Sequence, residues 1–261
     1  MADTFVEFDH VDLAYDETSG NAIEDISMTI REGEFIAIVG PSGCGKSTFM
    51  KLCTGLRPPT KGTVTVDGRE VGGPLKIVGM AFQNATLLPW RTTLDNVLLP
   101  LEIVEPYRSS FKQKKAEYVE RAKALLKTVG LEGYDDKFPW QLSGGMQQRA
   151  SICRALVHEP KLLMLDEPFG ALDAFTREEL WCVLRDLWAL KKFTVVLVTH
   201  DLREASFLAD KVYVMSKRPG RMLVERVIDI ERPRDLEVTY GEKFTSIVLE
   251  LREHIGHIRK I

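Results

Sequence analysis

The stretch that decides the fold is an apolar run followed by a glycine-rich octet: Phe35-Ile36-Ala37-Ile38-Val39, then Gly40-Pro41-Ser42-Gly43-Cys44-Gly45-Lys46-Ser47. A continuous apolar run without alternation is typical of a strand covered on both faces. The octet fits the pattern G-x-x-x-x-G-K-[ST] in full, and a helix is predicted to follow over residues 46–54. A strand, this loop and a helix in succession predict a phosphate-binding loop.

The predicted loop has a defined chemistry. Its glycines let backbone N–H groups turn inward around a β-phosphate, and the N-terminus of the following helix adds partial positive charge. Lys46 is expected to neutralise the β- and γ-phosphates, and the Ser47 hydroxyl to ligate Mg²⁺. The alternative is a glycine-rich turn that binds no ligand, which the full spacing and the flanking strand and helix disfavour.

A second apolar run, residues 162–165, ends in the two acids Asp166 and Glu167. Ligand groups project beyond the carboxyl ends of strands in a parallel sheet. Asp166 is therefore expected to reach Mg²⁺ through a water, and Glu167 to face the water that attacks the γ-phosphate. Such positioning and charge neutralisation are what phosphoryl transfer requires. The alternative is that the pair caps a helix before Pro168.

Strands and helices alternate along the rest of the chain, which indicates an α/β fold. Val11, Leu13 and Tyr15 alternate with polar residues as in an antiparallel strand, and the polar residues 16–21 are predicted to form a loop. Further strands are predicted over residues 62–66, 193–198 and 211–215 and near 224–228.

The middle of the chain, from about residue 87 to 159, has a mostly helical pattern. Apolar residues keep a period near 3.6 before Gly130, which is predicted to end that helix; they are Val119, Ala122, Leu125, Leu126 and Val129. A final helix is predicted over about residues 235–258. The sequence therefore predicts a helical block inserted into a strand-rich frame.

Composition narrows the class of protein. The chain has 261 residues, 44% of them apolar and 28% charged, and a formal net charge of −3. This balance excludes wholesale disorder and disfavours a global polyanion-binding surface. No apolar run approaches the roughly 20 residues that span a bilayer, and residues 1–10 lack a signal-peptide pattern, so the chain is expected to stay in the cytosol. The four cysteines are scattered, as expected of reduced thiols at packing positions.

The octet Leu142-Ser143-Gly144-Gly145-Met146-Gln147-Gln148-Arg149 closely resembles the signature motif of the ATP-binding cassette (ABC) ATPases. In that family the motif opens a helix and touches the γ-phosphate of a nucleotide held by a partner subunit. Ser143 and the amides of Gly144 and Gly145 suit an anion site at a helix N-terminus. Met146 stands where many members carry glutamine, and the alternative is a capped helix with a flexible start.

The resemblance implies roles for further residues. Tyr15 matches the aromatic that stacks on adenine, and Gln83 the Q-loop glutamine that contacts Mg²⁺. Asp173 ends the D-loop, Gly170-Ala171-Leu172-Asp173, and His200 matches the switch histidine at the γ-phosphate. Without the family, Tyr15 would be an ordinary strand aromatic, Gln83 a solvated loop residue and His200 a structural histidine. Asp201 is predicted either to act beside His200 or to cap the next helix.

The resemblance covers nearly the whole chain and implies its architecture. The expected fold is an α/β P-loop NTPase (ABC ATPase) core with an N-terminal antiparallel β subdomain and an inserted α-helical subdomain, all in one domain, 1–261. The nucleotide-binding core is assigned to 1–86 and 160–216, the helical signature subdomain to about 87–159, and a C-terminal strand and helix to 217–261.

The family also implies the mechanism, with ATP and Mg²⁺ as cofactors. Two chains are expected to pack head to tail as a C2 homodimer, with each ATP between Lys46 of one chain and Ser143 of the other. Closure is driven by the higher affinity of the closed dimer for ATP. The expected catalytic groups are Lys46, Gln83, Glu167 and His200, and the metal ligands Ser47, Gln83 and Asp166. The nucleotide contacts are Tyr15, Gly40, Pro41, Ser42, Gly43, Cys44, Gly45, Lys46, Ser47, Thr48, Ser143, Gly144, Gly145 and Asp173.

The ATPase is expected to energise a membrane importer from the cytoplasmic face of the inner membrane, as a peripheral subunit. Its partners would be separate transmembrane permease subunits and, indirectly, an extracytoplasmic solute-binding protein, with no nucleic acid. Leu87, Leu88 and Trp90, after the Q-loop, suit the groove that receives a permease coupling helix, unless they belong to the helical core. The alternatives are an exporter or lipid-handling ATPase, a non-transport ABC ATPase on DNA or ribosomes, and a plain nucleotide kinase.

Within importers the sequence resembles the nitrate/sulfonate/taurine-type subgroup, which handles small anions. The similarities are Pro89-Trp90, Asn96-Val97, Pro100-Leu101-Glu102, the segment Met215-Ser216-Lys217-Arg218-Pro219-Gly220-Arg221, and Arg232-Pro233-Arg234. The alternative for the basic segment after Met215 is a solvated turn.

Overall fold

The structure, a computed structural model, describes residues 4–16 and 20–260. Residues 17–19 of the predicted loop and residues 1–3 of the N-terminal stretch lie outside the described residues. The chain forms two compact units. Unit 1 comprises Met1–Leu75 with Lys192–Ile261, and unit 2 comprises Lys76–Lys191.

The predicted alternation of strands and helices is confirmed. In chain order the elements are β1 Thr4–Ala14, β2 Asn21–Arg31, β3 Phe35–Val39, α1 Lys46–Cys53, β4 Lys61–Val66, β5 Arg69–Glu70, β6 Val78–Phe82, α2 Thr93–Ile103, α3 Tyr107–Thr128, α4 Gly144–Leu156, β7 Leu162–Asp166, α5 Ala174–Lys191, β8 Thr194–Thr199, α6 Leu202–Leu208, β9 Lys211–Met215, β10 Met222–Val227 and α7 Glu242–Lys260. Short 3-10 helices lie at Pro139–Gln141 and Leu236–Tyr240. No membrane-spanning helix can be assigned within the described residues.

Unit 1 contains an antiparallel sheet in the order β2-β1-β4-β5. It confirms the predicted early antiparallel strand. The other four strands described in unit 1 lie in one further sheet. In it β3 pairs in parallel with β8 on one side and β9 on the other, and β10 runs antiparallel to β9. All five residues of β3 are buried, which is why its sequence is apolar without alternation.

Unit 2 carries the predicted helical block. Its strands β6 and β7 are parallel, and β7 is apolar and buried up to Asp166. Helix α3 ends at Thr128, and Gly130 follows with a φ of 74°, as predicted for a helix stop. Gly79 in β6 allows a close approach of α4, since a Cβ there would lie 2.1 Å from the carbonyl oxygen of Ala155.

Two parts of unit 1, the final helix and the basic segment after β9, differ from what the sequence predicts. The final helix begins at Glu242 rather than near residue 235, because Gly241 has an extended backbone that separates α7 from the preceding 3-10 helix. The basic segment after β9 is not only a solvated turn. Its Gly220 exchanges backbone hydrogen bonds with Ala22 and Glu24 at 2.9 and 3.0 Å, which fixes the segment to β2.

Arg234 is the largest fully buried side chain of unit 1, with 1% of its surface exposed. Its guanidinium donates to five backbone carbonyls, three of them at the C-terminal end of α6. The last carbonyls of a helix lack partners within the helix, so a cation there satisfies them and opposes the negative end of the helix dipole. Burial, with the charge of Arg232 as a lesser cause, lowers the pKa of Arg234 to about 10.

Three of the four cysteines occupy buried packing positions, as expected, and Cys182 is half-buried. Cys44, Cys53 and Cys153 are buried thiols, and burial raises the pKa of each. A raised pKa keeps a thiol protonated and unreactive at neutral pH.

Candidate functional site

The glycine-rich octet forms the predicted loop between β3 and α1. Gly45 sits immediately before α1 with a φ of 111°, a conformation that L-residues rarely adopt. A Cβ at Gly45 would lie 2.9 Å from the carbonyl oxygen of Ala22. The loop therefore requires glycine at this position for both its backbone conformation and its close packing on β2.

Lys46 lies over the loop that precedes it, with 8% of its surface exposed. Its Nζ donates to the carbonyl oxygens of Gly40 at 3.0 Å and Pro41 at 3.1 Å. Within the described residues no side chain caps the N-terminus of α1, and no acid lies in its first turn. The ammonium and the N–H groups of α1 thus meet at one electropositive position, which suits an anion such as a phosphate.

Tyr15 lies against α1, beside the loop. Its hydroxyl is 3.1 Å from Thr48 Oγ1 and accepts from Lys51 Nζ at 3.2 Å, while its ring has Lys51 and Arg57 at 5.2 and 5.6 Å. Burial acts to raise the pKa of Tyr15, but these hydrogen bonds and positive charges outweigh it, so the pKa lies below its ordinary value. Tyr15 is 39% exposed, so its ring is available for stacking. The two cation–π contacts were not predicted from the sequence.

The basic segment after β9 packs against the glycine-rich loop, a contact that the sequence did not indicate. A Cβ at Gly220 would lie 2.2 Å from the carbonyl oxygen of Cys44 and 3.2 Å from Met215 Sδ. Nearby, Arg221 pairs with Glu24 at 2.9 Å. Only glycine permits this approach of two backbones, so the basic segment packs directly against the glycine-rich loop at Cys44.

His200 leaves the sheet beside the loop. Strands β3 and β8 are paired in register, with Val39 opposite Thr199, so Gly40 and His200 follow at the same edge. His200 is exposed there. Asp201 caps α6, since its Oδ1 accepts from the amides of Arg203 and Glu204 at 2.9 and 3.2 Å, which confirms the capping alternative.

In unit 2, Gln83 and the two acids also leave one sheet edge together. Phe82 pairs with Asp166 in the β6–β7 register, so Gln83 and Glu167 are the next residues of both strands. Glu167 has a φ of 47°, an unfavourable conformation for a residue other than glycine and one that is concentrated at functional sites. The following helix, α5, begins only at Ala174, so the alternative that Asp166 and Glu167 cap a helix before Pro168 is not supported.

The signature residues occupy the start of α4. Ser143 is the N-cap, and its Oγ accepts from the amide of Met146 at 3.3 Å. A Cβ at Gly145 would lie 2.5 Å from Thr176 Cγ2, and Thr176 in turn donates to both carboxylate oxygens of Asp173. These bonds lower the pKa of Asp173 and make it the cap of α5. The Ser-Gly-Gly turn and the predicted D-loop are therefore neighbours within unit 2.

The donor groups fit a nucleotide and a hard cation. In unit 1, Lys46 and the N-terminus of α1 suit a phosphate, and the Ser47 hydroxyl is an oxygen ligand of the kind that Mg²⁺ prefers. In unit 2, the N-terminus of α4 suits a phosphate and the Asp166 carboxylate offers an oxygen ligand. No group of three or more His, Cys, Asp and Glu side chains within the described residues forms a metal cluster. Protein sites for Mg²⁺ commonly combine one or two protein oxygens with substrate phosphates, so such a cluster is not required.

The ABC transporter family model matches residues 23–170. An uncharacterized ABC transporter ATP-binding protein of Methanocaldococcus jannaschii, MJ0412, is 47% identical over 248 residues, covering 94% of this chain and 87% of its own. The taurine import ATP-binding protein TauB of Escherichia coli is 43% identical (90% and 89% covered), and the aliphatic sulfonates import ATP-binding protein SsuB of Bacillus licheniformis 42% identical (82% and 80% covered).

Two solved structures share the fold. The ATP-binding cassette MJ0796, solved as a dimer bound to ADP and Pi, aligns with a TM-score of 0.72 and 32% identity, covering 87% of this chain and 100% of its own. CbiO1 of Clostridium perfringens, part of the ABC transporter complex CbiONQ, aligns with a TM-score of 0.77 and 26% identity, covering 99% and 100%. The expected cassette fold is thereby confirmed.

Proposed function

The chain belongs to the ABC transporter family, and we propose that this ATPase subunit energises an importer of small anions such as sulfonates, taurine or nitrate. The observation that carries the proposal is the similarity to TauB and SsuB, which are import ATP-binding proteins and match this chain at 43% and 42% identity over most of its length. The solute itself is expected to contact the permease and not this subunit.

The segment after Gln83 supports a permease-docking role. Trp90 is 71% exposed, so it does not belong to the helical core. Asn96, fully buried at the start of α2, accepts from the amide of Leu88 at 2.7 Å and donates to the carbonyls of Leu88, Arg91 and Thr92. Tryptophan is enriched at protein interfaces, so an exposed Trp90 on a segment fixed in this way supports a docking role.

In the proposed reaction, the chain's own residues position and neutralise ATP. Lys46 and the N–H groups of α1 hold the β- and γ-phosphates, and Tyr15 stacks on the base. Ser47, Gln83 and Asp166 would hold Mg²⁺, which neutralises phosphate charge when bound. Glu167 orients the attacking water and accepts its proton, and His200 stabilises the γ-phosphate as charge shifts to the leaving oxygen.

A homodimer completes the proposed site. Ser143 and the amides of Gly144 and Gly145 would come from the second copy, and Asp173 would lie at the interface between copies. The dimeric MJ0796 cassette, bound to ADP and Pi, supports this arrangement. The subunit is proposed to sit peripherally on the cytoplasmic face of the membrane through its permease.

Uptake measurements in cells test the proposal. A strain without this gene should lose uptake of labelled taurine, an alkanesulfonate or nitrate, and the wild-type gene should restore it. Glu167→Gln should not restore it, because transport would lack hydrolysis. Unchanged uptake of all three solutes in the deletion strain would reject import of these anions. If the deletion strain also retained a solute that wild-type cells expel, the exporter alternative would be favoured.

A further inference from the structure

The geometry points to Gln148 and Arg154 as positioning residues that hold the loop of Gln83 to α4, so that the loop and the Ser143 helix N-terminus move as one piece. The inference deepens the proposed function and rests on it for its consequence in catalysis. The hydrogen bonds that carry it belong to unit 2 alone.

Gln148 holds the loop on the side before Gln83. Its side chain is 3% exposed, and its Nε2 donates to the carbonyl oxygen of Phe82 at 2.8 Å. Phe82 is the last residue of β6, so this bond fixes the point at which the chain leaves the strand.

Arg154 holds the loop on the side after Gln83. Its Nη2 donates to the carbonyl oxygen of Ala85 at 2.8 Å and to Thr86 Oγ1 at 3.0 Å, and its Nη1 donates to the carbonyl oxygen of Thr86 at 2.9 Å. One planar guanidinium thus takes three acceptors on two successive residues, which a lysine ammonium cannot match in geometry.

The segment held by Arg154 has a strained backbone. Thr86 has a φ of 46°, and for a β-branched residue this conformation is unfavourable. A strained residue persists only where the surrounding contacts over-determine it. The three bonds from Arg154 supply that restraint, so their loss should release the segment.

The close packing of α4 on β6 explains how both side chains reach the loop. Gly79 brings β6 to within contact of the Ala155 backbone, next to Arg154. Arg154 comes six positions after Gln148 in α4, a rise of about 9 Å. The two side chains therefore reach different parts of the loop, Gln148 at Phe82 and Arg154 at Ala85 and Thr86. The same helix begins at Ser143.

The consequence concerns coupling. Asn96 fixes Leu88, and Arg154 fixes Ala85 and Thr86, so the segment from Phe82 to the exposed Trp90 is bonded to helices at both ends. A displacement of Trp90 by a docked permease would therefore be passed to α4 and its N-terminal Ser-Gly-Gly turn.

Hydrogen exchange and steady-state kinetics on the purified full chain test the inference. Arg154→Met should raise the rate of amide hydrogen exchange over residues 84–87 by about ten-fold or more. In wild type, local opening of this segment must break the hydrogen bonds to the guanidinium, and in the variant that cost is absent. The kcat for ATP should fall by about ten-fold while the KM stays within about two-fold, since the Lys46 loop is unchanged. Arg154→Lys should restore part of the kcat.

Arg108→Met is the matched control, because Arg108 is an exposed arginine on α3. It should leave both exchange and kcat unchanged. All four tryptophans lie in unit 2, so their fluorescence checks that each variant folds; if Arg154→Met does not fold, Arg154→Lys carries the test.

The inference is overturned if exchange over 84–87 in Arg154→Met equals that of Arg108→Met, or if the kcat of Arg154→Met stays within about two-fold of wild type. Where the methionine variant does not fold, the exchange comparison is made with Arg154→Lys. Failure of the proposed function has a different result, in which uptake of taurine, alkanesulfonate and nitrate is unchanged in the deletion strain. The exchange comparison between Arg154→Met and Arg108→Met still decides the role of the bonds in that case.

Discussion

Replacing Arg234 with methionine is expected to destabilise unit 1 severely. Methionine keeps the length of the side chain but donates no hydrogen bond. The carbonyl oxygens of Ser206, Phe207, Ala209, Ile228 and Ile230 would each lose a donor at 2.6–3.2 Å. Four of these bonds are buried, and the one to Ile230 is half-buried.

The magnitude follows from two opposed effects. Burial lowers the pKa of Arg234 from 12.5 to about 10, and a displacement of that size corresponds to about 3 kcal/mol against burying the charge, which the substitution removes. Each orphaned carbonyl costs about 1.5 kcal/mol, and five of them outweigh that relief. The expected net loss in the free energy of unfolding is about 4 kcal/mol, or about 8 °C in Tm.

Urea and thermal unfolding followed by far-UV circular dichroism measure this loss. Arg252→Met, at an exposed position on α7, is the matched control and should change stability by less than about 0.5 kcal/mol. Arg234→Lys should fall between the two, since an ammonium keeps the charge and loses the planar set of donors. A loss below about 1 kcal/mol for Arg234→Met would refute the reasoning, because it would mean that the five carbonyls find other partners at little cost.

Three further predictions concern nucleotide chemistry and pH. Lys46→Ala should lower ATP affinity by about 100-fold in calorimetric titration through loss of a charge-assisted contact, and undiminished affinity would contradict the loop assignment. Glu167→Gln should bind ATP, hydrolyse it about 1000-fold more slowly and accumulate as a dimer in light scattering; hydrolysis at the parent rate would exclude Glu167 as the base. Burial lowers the pKa of His158, whose Nε2 lies 3.2 Å from the carbonyl oxygen of Val78. As the pH falls below 6.5, this histidine therefore takes up a proton in the unfolded chain but not in the folded chain, and the free energy of unfolding decreases. His158→Gln should therefore flatten the stability profile between about pH 7.5 and 5.5, and an unchanged slope would contradict this cause.

The sequence predicted most elements of the core but not all of them. Strand β3 and helix α1 were expected at their observed places because burial on both faces and the glycine-rich pattern are local signals. Strand β2 was not assigned, although Ile26, Met28 and Ile30 alternate with polar residues and are buried. The start of the final helix was placed too early, since the extended backbone of Gly241 is not readable from apolar periodicity alone.

The site was predicted at the level of residue types, and its supports were not. The cation–π contacts of Tyr15 with Lys51 and Arg57, and the approach of Gly220 to Cys44, join residues whose spacing in sequence carries no pattern. The sequence leaves Asp201 open between a functional role and a helix cap, and the hydrogen bonds that it accepts from amides of α6 decide for the cap.

The sequence alone determined the phosphate-binding loop, the paired acids after β7 and the Ser-Gly-Gly helix start, because phosphate chemistry requires particular residue types at fixed short spacings. Only the tertiary structure decided which side chains hold these parts in place. Arg154 donates to backbone carbonyls 68 and 69 residues away, and three of the five carbonyls bound by Arg234 are 25–28 residues away. A backbone carbonyl is the same in every residue. Such a partner leaves no trace in the sequence, so it becomes visible only once the chain is folded.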